Sequence, residues 1–322
     1  MSSANSAIGP LRHEGHARSA RRRIQVWRES LISVLLRICA FTGVAGLLLI
    51  MVFVFREALP ILTNPEIQKE ASLRHFTATW MWQPVGAVPK YGLAPLIGGT
   101  LKVVLVAMAF AVPLGVAAAV FASEFASARL RESLKPAVEI LAGIPSVVLG
   151  FFALMVMASW IQMVTGATVR LNALNAGIAL GLGVLPTIFT VSEDALRAVP
   201  KPFREASLGL GASPWQTAWS VTLPAAGAGV SAGILLGLAR AVGETMIVLM
   251  ASGNAAIASG SVFDSVRTLS ASIAAELAEV VFGSAHYSVL FFLGAILFAT
   301  TFIINVVAGL FVGRLRRRLV GA

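Results

Sequence analysis

The chain is short of charge. Asp, Glu, Lys and Arg make up 12% of its 322 residues, about half the ~25% of an ordinary soluble domain. That shortage excludes a disordered polymer and an ordinary soluble enzyme. Cysteine is almost missing: the single Cys39 rules out an internal disulfide framework and a cysteine zinc site. Its position within an apolar run reads as a small buried residue. His13, His16, His75 and His286 lie in tails or outer segments without ligand spacing, so no metal site is expected. None of the five lysines follows a glycine, so the G-x-x-x-x-G-K-[ST] phosphate cradle is absent and any ATP hydrolysis belongs to another chain. No span carries G-x-S-G or H-E-x-x-H, which argues against an intramembrane hydrolase.

What is abundant is apolar. Hydrophobic residues make up 57% of the chain and the mean hydropathy is +0.84. A membrane-crossing helix takes about 20 mostly apolar residues, and six segments qualify: 31–55, 96–122, 138–163, 173–192, 225–252 and 287–313. The first is longer than the ~7–15 residues of a cleavable signal core, so it reads as a retained span. The expected fold class is an all-α membrane protein of six transmembrane helices with both termini cytoplasmic. Residues 1–30 read as a basic cytoplasmic tail and 314–322 as a second one.

The net charge of +10 follows this topology. Arg12, Arg18, Arg21, Arg22, Arg23, Arg28, Arg129, Arg131, Lys135, Arg197, Lys201, Arg204, Arg314, Arg316, Arg317 and Arg318 fall on one side of a six-span layout. That side is the cytoplasm by the positive-inside rule. The opposite side holds Arg56, Lys69, Arg74, Lys90, Arg170 and Arg267. Arg37 and Lys102 lie near span ends and are expected to snorkel, and Glu139 is expected at the start of the third span. The basic residues are too few and too separated for a nucleic-acid stripe.

Several local patterns carry expectations. Trp80, Trp82 and Tyr91 suit a membrane-interface belt. Phe263, Val266, Leu269, Ile273, Leu277 and Val280 recur at helical spacing, predicting a short amphipathic helix on the outer face and a candidate plug for the external mouth. Gly177 and Gly181, and Gly229, Gly233 and Gly237, repeat every four residues and predict close helix approach. Pro113, Pro145 and Pro186 are expected to interrupt spans two, three and four, either as kinked packing or around a cavity.

The most informative stretch is cytoplasmic: Pro202-Phe-Arg-Glu-Ala-Ser-Leu-Gly-Leu-Gly-Ala-Ser-Pro-Trp215, continuing to Val221-Thr-Leu-Pro224. Phe203, Ala206, Leu208 and Leu210 give a short helix an apolar face, and Gly211 can end it in a left-handed cap. The segment resembles the EAA loop of type I ABC importer permeases: Glu205, Ala206, Gly211, Val221, Leu223 and Pro224 keep its spacing, with Ser207 and Val221 as mild departures. The resemblance implies a permease core over 96–313, with a coupling loop at 201–224. Phe203, Arg204, Glu205, Ala206, Leu208 and Gly211 would then dock on an ATPase; the alternative is a helix lying on the bilayer.

Further blocks are similar to phosphate-importing permeases of the PstC type: Phe53-Val-Phe-Arg-Glu-Ala-Leu-Pro60, Trp82-Gln-Pro84, Tyr91-Gly-Leu-Ala-Pro-Leu-Ile-Gly-Gly-Thr100, Ile144-Pro-Ser146, Ala239-Arg-Ala-Val-Gly-Glu-Thr245 and Arg267-Thr-Leu-Ser-Ala-Ser-Ile273. The sister PstA type shares some of them. The resemblance implies a passive transport subunit without its own cofactor. Its partners would be a PstA-like permease, two copies of a PstB-like ATPase that use ATP, an extracellular or periplasmic phosphate-binding protein, and the lipid of a bacterial inner membrane. Arg240 lies deep in the fifth span, and a helical spacing of four would put Glu244 on the same face. A guanidinium fork suits phosphate oxygens. Arg240, Glu244, Thr245, Thr100 and Ser146 are therefore the candidate substrate path, against a structural ion pair for Arg240 and Glu244. Another oxyanion such as sulfate, or a phosphate-signalling scaffold, are the competing functions.

Overall fold

A computed structural model describes residues 10–86 and 88–320, with side chains over 29–86 and 88–314. The chain divides into two units, Met1–Arg56 and Glu57–Ala322. In the first, the helix Pro10–Ala58 runs without a break, so the expected N-terminal tail continues, from Pro10 on, as one helix with span one; residues 1–9 lie outside the described residues. Cys39, expected to be buried, is exposed on this helix.

Among the described residues, five helical segments are long and apolar enough to cross a membrane: Glu29–Thr63, Ala94–Phe125, Ser146–Thr165, Ala173–Arg197 and Ala285–Arg314. A sixth crossing is a bent pair, Pro214–Ala225 and Gly227–Gly243, at 71°. The six-span expectation holds, with corrections to its details. Residues 138–143 belong to a separate helix, Ala128–Gly143, and the third span begins only at Ser146. Ile144 is extended, as the ring of a following proline demands. Pro145 therefore marks the junction between two helices, and Glu139 lies inside the first of them, away from any helix N-terminus. Pro113 and Pro186 sit within continuous helices and do not interrupt them. The C-terminal basic segment also stays helical to Val320.

The core forms where glycine allows helices to touch. A Cβ at Gly177 would stand 2.4 Å from Val106 Cγ1, and one at Gly181 2.8 Å from Phe110 Cδ1; this seats span four on span two. Gly229, Gly233 and Gly237 meet Ala195, Val191 with Ser192, and Ile188 with Val184, seating span five on span four. Val103, Val104, Ala107, Leu180, Val184, Ile188, Ala241 and Ile247 fill the space between. The expected close approach at both glycine repeats is what the structure has, and dispersion at short range is its reward in a solvent as apolar as the side chains.

The outer segment packs more deeply than a surface belt. Short helices Pro60–Thr63, Pro65–Glu70 and Leu73–Ala78 and a two-stranded ribbon pairing Trp82 with Tyr91 enclose a second core. Trp82 and Tyr91 are buried in it and only Trp80 stays exposed, so the expected aromatic belt is mostly an interior. The outer helix is shorter than its apolar periodicity predicts: Leu269–Glu276, capped by the Thr268 hydroxyl on the Ala271 N–H at 3.3 Å. Its first four residues are buried, and the preceding Phe263–Val266 stretch is not helical. Lys102 donates to the Ser259 and Ser261 carbonyls, at 2.5 and 3.0 Å, and so binds an outer loop.

Glu276 gathers this outer region. It pairs with Arg267, accepts from Trp82 Nε1 at 3.1 Å and stands 3.3 Å from His286 Nε2. The Tyr91 ring stacks on His286 at 5.8 Å. Burial favours the neutral acid at Glu276, but His286, Trp82 and the Arg267 charge outweigh it and hold the carboxyl below its ordinary value. Burial, with Glu70 and Glu276, pushes Tyr91 up to about 12.

Two outcomes follow from this packing. Gly177→Ala drives a methyl into the Val106 side chain and against the Val103 carbonyl and lowers stability by about 1–3 kcal/mol, whereas Gly143→Ala, with nothing within 4 Å, is near neutral; thermal unfolding of the purified chain distinguishes them. Because the folded-state value of Glu276 is depressed, its contribution is complete above the ordinary value of 4.5 and is lost as pH falls through the lower folded value. Glu276→Gln therefore lowers the melting temperature at neutral pH, and the difference from the parent shrinks on acidification.

Candidate translocation path and coupling surface

Span five does not run straight through the expected path residues. Its helix stops at Gly243, Glu244 is extended at φ −69°, ψ 133°, and a second helix starts at Met246. The helical spacing that would stack Glu244 on Arg240 is therefore broken, and the two side chains form no ion pair. Arg240 is exposed and donates through Nη1 to the Thr187 hydroxyl at 3.1 Å, its one hydrogen bond among the described residues. Counting from Gly227, it lies about 20 Å along the helix at 1.5 Å per residue.

Glu244 is half-buried. Its carboxylate accepts from the Thr245 N–H at 3.2 Å, and it lines a crevice too narrow for water with Thr100, Thr268 and Ser270. The break leaves backbone groups that a membrane interior does not forgive, and the outer helix supplies partners. Ser270 Oγ donates to the Glu244 carbonyl at 2.9 Å, and Thr100 Oγ1 accepts from the Leu269 N–H at 3.1 Å while donating to Leu96 O at 2.8 Å. A cavity of about 450 Å³ adjoins, lined by Thr245, Ser270, Ile273, Ala274, Leu277, Ala278 and Leu297.

The structure thus brings Thr100 and Glu244 to one crevice and Thr245 to the neighbouring cavity, with Ser270 shared between them. Arg240 and Ser146 line neither; Ser146 is half-buried at the start of span three. Thr268 and Ser270 were missed as site residues. Their signal was present: three hydroxyls, Thr268, Ser270 and Ser272, punctuate an otherwise apolar helical pattern.

On the cytoplasmic side, the coupling segment folds as the helix Lys201–Gly209. Gly211, at φ +88°, closes it: its N–H reaches Leu208 O at 3.0 Å, and the Ala212 N–H reaches Ser207 O at 3.2 Å. This is the paired cap that only a left-handed residue permits. Phe203 and Leu210 are 55% and 90% exposed, and Glu205, Ala206 and Leu208 are exposed with them.

Arg204, expected among the docking residues, turns inward. Its Nε and Nη2 grip the Glu124 carboxylate at 2.8–3.2 Å. Nη1 and Nη2 also donate to Val199 O and Leu196 O, both at 2.7 Å. Arg204 thus belongs to the anchor beneath the exposed face. Arg131 does the same for span two, donating to Ala122, Ser123 and Ala126 carbonyls at 2.8–3.3 Å.

Residues 111–320 match the family described as binding-protein-dependent transport system inner membrane component. The chain belongs to that family. It is 36% identical over 228 residues to the probable ABC transporter permease protein YqgH of Bacillus subtilis, covering 71% of this chain and 74% of that one. It is also 36% identical over 252 residues to the phosphate transport system permease protein PstC of Mesorhizobium japonicum, covering 72% and 76%. A solved structure of the MetNI methionine ABC transporter superposes with a TM-score of 0.53 at 20% identity, over 68% of this chain and 95% of that chain, which shows a shared fold.

The permease is therefore a multi-pass membrane transport subunit with the type I importer fold. Its family works with a separate ATPase and a binding protein.

The Arg204–Glu124 clamp yields a quantitative expectation. Both side chains are largely buried, so Arg204→Ala and Glu124→Ala each destabilise the permease. Their double-mutant cycle returns a coupling of about 1–3 kcal/mol in thermal unfolding. Arg204→Lys recovers only part, because an ammonium cannot hold a carboxylate and two carbonyls in one plane.

Proposed function

We propose that this permease is the membrane-spanning subunit of an ATP-driven importer of inorganic phosphate in a bacterial inner membrane. Relatives named as phosphate permeases support the substrate, and the observation that carries the reading is the broken fifth span. Around the break lie a guanidinium with a single hydroxyl partner, a carboxylate and hydroxyl groups, and charge within a span is expensive unless it serves a path. Arg240 offers its unused N–H groups to phosphate oxygens. Glu244 keeps the path from holding a dianion too tightly, Thr245 and Ser146 offer hydroxyls along it, and Thr100 fixes the outer helix beside it.

The partners in this reading are a second, PstA-like permease, two copies of a PstB-like ATPase and an extracellular or periplasmic phosphate-binding protein. ATP is hydrolysed by the ATPase, and this chain needs no cofactor. Phe203, Glu205, Ala206, Leu208 and the Gly211 cap form the face seated on the ATPase, with Arg204 holding that face to the spans.

Uptake of radiolabelled phosphate by the assembled transporter tests the reading. Arg240→Gln lowers uptake at least ~10-fold with the complex intact, since a charge-assisted pair is lost, and Arg240→Lys retains part of it. Glu244→Gln lowers turnover by slowing release. Wild-type phosphate uptake by Arg240→Gln would refute the path, and competition by sulfate but not phosphate would refute the substrate.

A further inference from the structure

Three aromatic rings stand in line where spans two and five reach the cytoplasmic side. Phe125 ends span two, and Trp215 and Trp219 lie one turn apart on the helix Pro214–Ala225. The Phe125 and Trp215 centroids are 5.9 Å apart, and Trp215 stacks on Trp219 at 5.9 Å and 11°. The two tryptophans are 61% and 58% exposed, among the most open aromatic side chains of the second unit.

We propose that this ladder is a membrane anchor: the rings lie in the glycerol and headgroup layer of the cytoplasmic leaflet, against phospholipid, and hold the elbow helix in the plane of the bilayer. The 71° bend to Gly227–Gly243 turns Pro214–Ala225 nearly across the axis of the half that crosses. A helix so placed at the end of a span lies in the interface, where tryptophan is favoured because its ring is apolar and its N–H still finds water or phosphate. Gln216 and Ser220, exposed beside the tryptophans, give the same face the polar component such a layer needs.

The ladder also continues a membrane-facing surface. Leu114, Phe121 and Phe125 are exposed along one side of span two, since seven and four residues bring them back to the same face, and Phe125 delivers that stripe to Trp215. It points away from the coupling helix. Thr217, whose hydroxyl meets Ser207 at 3.0 Å, is two residues from each tryptophan, which is about 200° around the helix. The side of the elbow nearest the ATPase contact is therefore opposite the aromatic one, which favours lipid over a protein occupant.

The test uses the assembled transporter in vesicles of phosphatidylethanolamine and phosphatidylglycerol containing phosphatidylcholine brominated either near the glycerol end or near the methyl end of its acyl chains. Tryptophan emission is compared between the parent and Trp215→Phe/Trp219→Phe, which keeps the rings but removes two emitters, so the difference reports these positions alone. The expected result is a difference signal quenched at least ~2-fold more by the shallow bromine than by the deep one. A difference signal untouched by either lipid overturns the anchor, as does stronger quenching by the deep bromine. Loss of ATPase co-purification in Trp215→Ala/Trp219→Ala, with no bromolipid quenching of the difference signal, would assign the ladder to a protein contact instead.

Discussion

The guanidinium of Arg204 is the joint on which the cytoplasmic half depends. Span four ends there with unpaired carbonyls and the negative end of its dipole, and span two ends with the carboxylate of Glu124. Either alone, largely buried, is costly. One planar cation answers both, bonding Leu196 O, Val199 O and both Glu124 oxygens from within the helix whose other side is exposed. A displacement of that helix therefore cannot be absorbed by a slack loop. It must be passed to the ends of spans two and four, which glycine contacts lock together along their length.

The breaks in the backbone are distributed in the complementary way. The Ile144–Pro145 junction starts span three, the bend after Ala225 starts the crossing half of span five, and the Glu244–Thr245 break ends it. Non-helical backbone survives at membrane depth only where protein or a cavity satisfies it. At Glu244 the carbonyl is satisfied by Ser270 Oγ of the outer helix, whose own Leu269 N–H is taken by Thr100 of span two. The outer helix is thus tied directly to the break, and Glu276, with Arg267, Trp82 and His286, ties the helix to the outer core. Spans two, four and five are thus packed on glycine into one block, and the outer region is tied to it by side-chain bonds at the break.

The spans were legible because each rests on composition alone: twenty apolar residues specify a crossing whatever they touch. The glycine repeats and the Gly211 cap were legible for a similar reason, since both depend on residues a few positions apart. What failed depended on partners far away in the chain. Nothing local distinguishes Arg204 bonded to Glu124, 80 residues earlier, from Arg204 facing a partner. Trp82 and Tyr91 have the composition of a belt, and only their pairing with Glu276 and His286 makes them an interior. The start of span three is a different case: Ile144 precedes proline and so disfavours the helical region, but the unbroken apolar run after it masked the boundary. In the site, Thr100 and Glu244 converge although 144 residues apart, whereas the expected Arg240–Glu244 face dissolves at a break that the sequence Val242-Gly-Glu-Thr245 does not announce.

The same comparison clarifies the basic charge. Counted by side, the arginines report topology. Looked at by partner, several basic side chains also terminate structure: Arg131 caps span two, Arg204 caps span four, Arg267 holds Asn254 and Glu276, and Lys102 holds two outer carbonyls. Arg240 differs from all of these. It sits exposed in span five with one neutral hydroxyl as its partner, where Arg131 and Arg204 take carbonyls and a carboxylate. A cation left with most of its donors free is costly in hydrocarbon and tolerable beside water or an anion. Arg131, Arg204 and Arg267, by contrast, direct their donors to carbonyls and carboxylates of the protein itself, whereas Arg240 keeps most of its own for a passing anion.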